Sequence, residues 1–258
     1  MKMSKKKTSK KKAISQTGST DIELMDFAVD AGQGLENTDK QSFAIPFLVV
    51  LQGLSPQLET VKGAKPGMLL NTITDELASE VEVIPCAYQR RFLRWAPRIS
   101  GGGYGGEYDP IEVETGQVAD TELKEGRWQF SNGDELRDTR QHYVLMSANG
   151  DSWQPALLSL SSTQIKKSKR WMSRIQSLEM TTTGGETFTP PSFSHRYKLT
   201  AVREENSKGS WHGIAIELVG PLNNSATYRR AKTFHDTVVS GDVETQHPQS
   251  DAVDEIPF

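Results

Sequence analysis

Apolar and polar positions along this 258-residue chain fall into a patterned body between two unpatterned ends. The body begins near Ser42 with a continuous apolar run from Phe43 to Leu51, which predicts a buried strand or a short helix. Pro46 places that run at a strand edge or a helix start. A loop with Gly63 and Pro66-Gly67 precedes a short strand, Met68 to Thr72. Val81 to Tyr88 is β-prone, and the strand continues through Gln89-Arg90-Arg91-Phe92-Leu93-Arg94-Trp95-Ala96-Pro97-Arg98. Gln141–Ser147 and Trp153–Leu160 flank the turn signal Asn149-Gly150 and read as a β-hairpin, with Pro155 marking the returning strand as an edge. Ser161 or Ser162 then caps a helix from about Thr163 to Leu178, with Ile165, Trp171, Met172, Ile175 and Leu178 as its apolar stripe. Ser194–Val202 and Ser210–Leu218 form a second hairpin around Asn206–Gly209, and a last helix runs from about Ser225 to Val239.

Six or seven strands in hairpins plus these helices predict a fold that is mainly β with two or more helices (α+β). Residues 1–40 are expected to be a disordered lysine-rich arm and linker, 41–240 the folded domain, and 241–258 a disordered acidic tail. Within the arm, Ile22 to Val29 could seed a short helix. Apolar residues make up 35% of the chain, below the usual range for a globular domain, and polar ends account for part of the shortfall. Cys86 is the single cysteine, so neither an intramolecular disulfide nor a Cys-based zinc site can form, which suits a reducing cytoplasm. No apolar run approaches the roughly 20 residues that span a bilayer, and no signal-peptide core follows the N-terminal lysines.

Net charge is −3, but it is unevenly placed. Residues 1–12 hold seven lysines and no acid, and residues 241–258 hold five acids and no base, which leaves −5 for residues 13–240. A flexible lysine arm can hold phosphates by counterion release. Any further nucleic-acid surface must be a local patch on an acidic body.

Two such patches stand out. In an extended strand Tyr88, Arg90, Phe92 and Arg94 share one face, while Gln89, Arg91, Leu93 and Trp95 share the other. Rings interleaved with guanidiniums suit a sequence-tolerant single-strand binder, because rings stack on bases and guanidiniums hold phosphates. Arg98 extends the patch, and the glycine loop Ser100–Gly106 presents Tyr104, with Tyr108 beyond it, as a flap. That loop lacks the spacing of a nucleotide P-loop. The second patch is the predicted helix, where Lys166, Lys167, Lys169, Arg170 and Arg174 appear with no acid before Glu179. Like charges at i, i+4 destabilise a helix, so five uncompensated cations point to phosphate contacts rather than to a merely solvated face. Arg127-Trp128-Gln129-Phe130 is a further basic-aromatic fragment. His195 and His212 could face each other across the second hairpin, yet two histidines without a third ligand make a poor metal site.

The tail closes on Asp254-Glu255-Ile256-Pro257-Phe258. Phe258 carries a ring beside the terminal carboxylate, and Pro257 stiffens the approach, lowering the entropy lost on docking. This end resembles the C-terminal tip of bacterial single-stranded DNA-binding proteins and of some phage-encoded counterparts. The resemblance implies a tip that docks a polymerase, primase, helicase or recombinase, on a tail that competes with DNA. It also implies that the body is an elaborated OB-fold-like small barrel. Ile45-Pro46-Phe47-Leu48, Gly63–Met68 and Asn71–Thr74 are in addition similar to segments of phage replication-associated proteins.

The expected function is therefore coating and protection of single-stranded DNA in replication, recombination and repair, in the cytoplasm of a bacterial host, with no cofactor, metal or catalytic residue. Neither stacking nor phosphate contact senses the 2′-hydroxyl, so RNA stays open as a ligand. Partners are single-stranded DNA, replication or recombination proteins and, as a further candidate, a second copy of the chain; no membrane is expected. The alternatives are a recombination annealing or accessory protein, and a metal-dependent nuclease built on carboxylates such as Asp109, Glu112, Glu114 or Asp134.

Overall fold

The computed structural model describes residues 29–30, 33–38, 44–97, 99, 101–207, 209–243 and 245. Backbone contacts divide the chain into two units, Met1–Asp39 and Lys40–Phe258. The described residues of the first include a turn in which the Gln33 side-chain amide donates to Asp30 at 2.7 Å. The lysine arm and residues 22–28, where a helix seed is expected, lie outside the described residues.

The second unit opens with a small antiparallel sheet of β1 (Leu48–Val50), β2 (Leu69–Asn71) and β3 (Leu77–Ala78), with the short helix α1 (Gln57–Thr60) between the first two. The main sheet is built on β4 (Glu80–Trp95) and β8 (Glu135–Ser147). Around them lie β5 (Tyr104–Tyr108), β6 (Thr121–Lys124), β7 (Arg127–Phe130), β9 (Gln154–Ser161), β12 (His195–Asn206) and β13 (Gly209–Pro221). Helices α2 (Pro110–Glu114), α3 (Ile165–Gln176) and α4 (Ser225–Val239) and the two-stranded β10 (Met180–Thr181) and β11 (Thr187–Phe188) complete the unit. Strand order is β13-β12-β4-β8-β7-β6, with β5 on β4 and β9 on β8. The sheet curls into a half-barrel, and its end strands β13 and β6 share no ladder among the described residues. The chain is thus mainly β with helices, as the pattern predicts.

Pro85 sits in the middle of β4, where it cannot donate to a ladder. The strand answers with a bulge between Pro85 and Ala87. The carbonyl of Cys86 turns instead to α4, where His235 Nδ1 lies 2.8 Å away. A bulge also reverses the alternation of side chains. Val81 and Val83 before it, and Tyr88 and Arg90 after it, consequently face the same side of the sheet.

Each side of the sheet carries its own core and its own helix. Val81, Val83, Val144, Met146, Leu158, Tyr197 and Leu199 pack under Trp171 and Ile175 of α3. Ile84, Cys86, Tyr143, Leu145 and Leu157 pack under Ala231, Phe234 and Val238 of α4, at i, i+3 and i+7. Asn224 caps α4 by accepting from the backbone N–H groups of Ala226 and Thr227 at 2.9 and 3.1 Å, worth about 1 kcal/mol. A third, smaller cluster of Phe92, Val113, Phe130 and Leu136 closes the far end of the sheet under α2.

The outer strand β13 is met by two side-chain amides. Gln52 donates Nε2 to the carbonyl of His212 at 2.8 Å and accepts its N–H through Oε1 at 2.9 Å. Gln164 Oε1 accepts the N–H of Ile214 at 3.0 Å. The two histidines of this hairpin do not face each other: His195 registers with Pro221 and His212 with Arg203, at opposite ends of the ladder. No helix among the described residues is long and apolar enough to cross a membrane.

Candidate nucleic-acid interface

Strand β4 presents its arginines and rings in a way that alternation alone does not foresee. On the α3 side, Arg90 donates Nε and Nη2 to the two carboxylate oxygens of Asp138 at 3.0 and 2.9 Å and pairs with Glu114 at 2.7 Å. The hydrogen bonds it donates to Asp138 raise the Arg90 pKa above its ordinary value. Arg94 pairs with Asp134 at 2.6 Å and lies 3.9 Å over the Phe130 ring, its stem crossing Gly105, where a Cβ would come within 2.9 Å. On the other side, Arg91 lies between Glu107 at 3.9 Å and Asp109 at 3.7 Å. These guanidiniums already have carboxylate partners.

The rings of this strand are committed too. Phe92 and Trp95 are each 4% exposed, so neither can lie flat on a base in this conformation. The Tyr88 ring leans on His142 at 5.1 Å, and its hydroxyl accepts from Arg140 at 3.2 Å. Tyr104 is a strand residue of β5 packed edge-on against Trp95 at 5.6 Å, not the tip of a flap, and Tyr108 packs on Phe130 at 5.7 Å. Burial raises the Tyr104 pKa. Arg98 lies outside the described residues. In this conformation the strand places Phe92 in the cluster under α2 and pairs Arg90, Arg91 and Arg94 with acids of β5, α2, β8 and the turns before α2 and β8.

Helix α3 arranges its cations differently. Trp171 and Ile175 turn inward, and the buried Ser168 Oγ meets His142 Nε2 at 2.7 Å while the His142 ring stacks on Trp171 at 4.6 Å. This leaves Lys166, Lys169, Arg170 and Arg174 exposed along the outer face at helical spacings of three and four. None of the four makes an ion pair with a carboxylate among the described residues. Lys167 is the exception: it pairs with Glu204, which Gln164 and Trp211 Nε1 also meet at 3.1 and 2.8 Å. Burial acts to raise the Glu204 pKa, but these hydrogen bonds and the Lys167 charge together hold its carboxyl below the usual range. The network lies over Gly213, where a Cβ would come 2.6 Å from Glu204 and 2.7 Å from Lys167. Between α3 and the β12–β13 hairpin runs a groove of about 470 Å³, with Lys167, Arg170 and Arg174 on one wall and Val202, Ala215 and Ile216 on the other.

A second opening, of about 350 Å³, joins the two sequence patches. Arg90 and Phe92 of β4 line it together with Ser162 and Ile165, where β9 turns into α3. Ser162 makes that turn in the left-handed region, with φ of 51°. Its far wall is Arg127 and Trp128, which the sequence marks as a basic-aromatic fragment without assigning them to a site. The β6–β7 hairpin around Glu125-Gly126 is the local signal that could have placed them, since both turn residues take positive φ.

Three of the four carboxylates considered for metal chemistry have structural places. Asp109 caps α2 by accepting the Ile111 N–H at 2.8 Å, Glu114 pairs with Arg90 and Asp134 with Arg94. Among the described residues no three of His, Cys, Asp and Glu gather into a metal-holding group. Burial pushes the Cys86 thiol up to about 12, so it stays protonated. Asp254, Glu255, Ile256, Pro257 and Phe258 lie outside the described residues. Just before them, Asp242 donates its N–H to Thr237 at 3.0 Å and Val243 packs against the α4-side core.

Comparison with curated proteins and with solved structures gave no match. A phage family model does match, over residues 12–244, which takes in both sides of the sheet, α3 and α4. The chain belongs to the Pam3 phage gp34-like protein family.

Proposed function

We infer that this protein binds single-stranded DNA, coating and protecting it during phage replication, recombination or repair, and recruits partner enzymes through Asp254–Phe258. The observation that carries the reading is the exposed row Lys166, Lys169, Arg170 and Arg174 on α3, free of carboxylate partners among the described residues on a body that is otherwise acidic. Membership of a phage family and the acidic Ile-Pro-Phe ending support it. An OB-like reading of the half-barrel suits the same role, since such barrels bind unpaired strands on a curved face and its loops.

Phosphate contacts position a strand without reading its sequence, so specificity should be weak. Four such contacts on a single strand give a slope of log K against log salt of about −3. The test is a gel-shift series with single-stranded and duplex DNA at two salt concentrations. The expected result is a salt-sensitive shift of the single strand in preference to the duplex. Equal affinity for both, or no shift of the single strand at low salt, would overturn the reading.

A further inference from the structure

Of the five tryptophans, Trp95, Trp153, Trp171 and Trp211 are buried, with exposures of 4, 6, 2 and 7%. Trp128 is the fifth, and it is only partly buried. On β7 it stands opposite Leu136 of β8 on one side and Leu123 of β6 on the other. Leu136 is 4% exposed and belongs to the cluster with Phe92, Val113 and Phe130, against which Trp128 packs. Leu123 is 57% exposed. The indole therefore rests on a fixed apolar floor while part of it borders the cleft shared by Arg90, Ser162 and Ile165.

The charge of this cleft is balanced: Arg90, Arg127 and Arg137 face Glu114, Glu135 and Asp138. A bare phosphate gains little from such a lining. A flat group with both donors and acceptors at its edge and a π-face gains more, because guanidiniums supply donors, carboxylates supply acceptors and an indole supplies the stacking surface. The volume, about 350 Å³, lies at the lower end of small-molecule sites and matches one nucleotide rather than a base pair with its backbone.

The cleft also connects to the cation row. Ile165 lines it and is the first residue of α3, so Lys169, one turn on, follows on the same helix face. The 12 residues of α3 extend about 18 Å, room for a few nucleotides leaving the cleft along that face.

We propose that this cleft is a nucleobase site in which Trp128 stacks on one unpaired base while the strand continues along Lys166, Lys169, Arg170 and Arg174. This rests on the single-strand-binding reading, and names the base-holding element that the arginine strand β4 does not provide.

The experiment compares the full chain with Trp128→Phe and Trp128→Leu, using a short single-stranded oligonucleotide. Tryptophan fluorescence reads the stack and gel shift reads the affinity; circular dichroism and a thermal melt check that each variant is folded. The expected outcome is strong quenching in the wild type that is mostly lost in Trp128→Phe, whose affinity stays within about threefold because a ring remains. Trp128→Leu keeps an apolar residue on the cluster but no π-face, and should bind roughly fivefold or more weakly. Quenching that persists in Trp128→Phe, or a folded Trp128→Leu that binds as tightly as the wild type, would overturn the proposal while leaving single-strand binding intact. A wild type that shifts no single strand would overturn the underlying reading and the base site with it.

Discussion

Arg90 and Asp138 meet fork to fork, through two parallel hydrogen bonds of 3.0 and 2.9 Å. The same carboxylate accepts from Arg140 Nη2 at 3.0 Å, so Asp138 serves two guanidiniums from one position on β8. This arrangement commits the Arg90 guanidinium. An arginine engaged in this way is part of the scaffold that shapes the cleft, and a bound phosphate would have to displace a carboxylate already in place.

Replacing Asp138 with Asn should therefore act on stability. Two cationic hydrogen-bond partners would be left with a neutral, single acceptor, at a cost of about 2 kcal/mol. For a chain of this size that corresponds to a fall in Tm of roughly 4–8 °C, measurable by differential scanning calorimetry. An unchanged Tm would show that the fork contributes nothing.

Neutralising Lys166, Lys169, Arg170 and Arg174 to Ala should do the opposite. Lys166 with Arg170 and Arg170 with Arg174 are like charges at i, i+4, each pair unfavourable by about 0.2–0.5 kcal/mol. The fourfold variant should melt at the wild-type temperature or slightly above it. Its affinity for single strands, read by fluorescence anisotropy, should drop by a hundredfold or more at low salt, with a much flatter salt dependence.

Acid should weaken the fold through His142. This side chain is fully buried, and burial, assisted by the neighbouring Arg140 charge, pushes its pKa down to about 3. An unfolded histidine titrates near 6.5, so between these values the unfolded chain binds the extra proton and the native chain does not. The stabilisation is complete above about pH 6.5 and is lost progressively as pH falls toward 3. Urea midpoints of the wild type and of His142→Gln should accordingly converge between pH 7 and pH 4. A gap that stays constant would mean that His142 does not titrate on unfolding.

The tail can be tested without disturbing the body if the cut respects Val243, which is part of the α4-side core. A chain ending at residue 245 should bind single strands more tightly than the full chain, most clearly at low salt, because the acidic competitor is gone. Deleting Phe258 alone should leave DNA affinity unchanged and abolish capture of a replication partner. Weaker DNA binding by the shortened chain would rule out competition.

Elements with a strong local signature were legible in the sequence. The last helix is observed at Ser225–Val239, as its pattern predicts, and both hairpins and α3 follow theirs closely. Short pieces, over which no hydrophobic period can show itself, were not legible. These are α1, α2, β3 and the β10–β11 pair, none longer than five residues. The class follows from strand and helix counts, whereas closure of the sheet depends on which ends meet.

The site was legible in part, for a physical reason. Alternation places Arg90 and Phe92 on one face, but it does not say that Asp138 and Glu114, 48 and 24 positions away, will arrive opposite them. The charge row on α3 was readable because a helix keeps its neighbours local. Trp128 could not be ranked above four other tryptophans until their burial was known, and burial is a property of the assembled sheet.

Strand β13 runs 13 residues along the outside of the sheet, and an open strand of that length is a template on which a second chain can add. Gln52 occupies both backbone groups of His212 as a one-residue strand would, and Gln164 takes the next outward N–H. Two amide side chains thereby occupy that stretch of the strand's outer edge. Gln52→Met, similar in size but without the amide, should leave the circular dichroism of the dilute protein unchanged. Light scattering should then rise with concentration as copies join edge to edge.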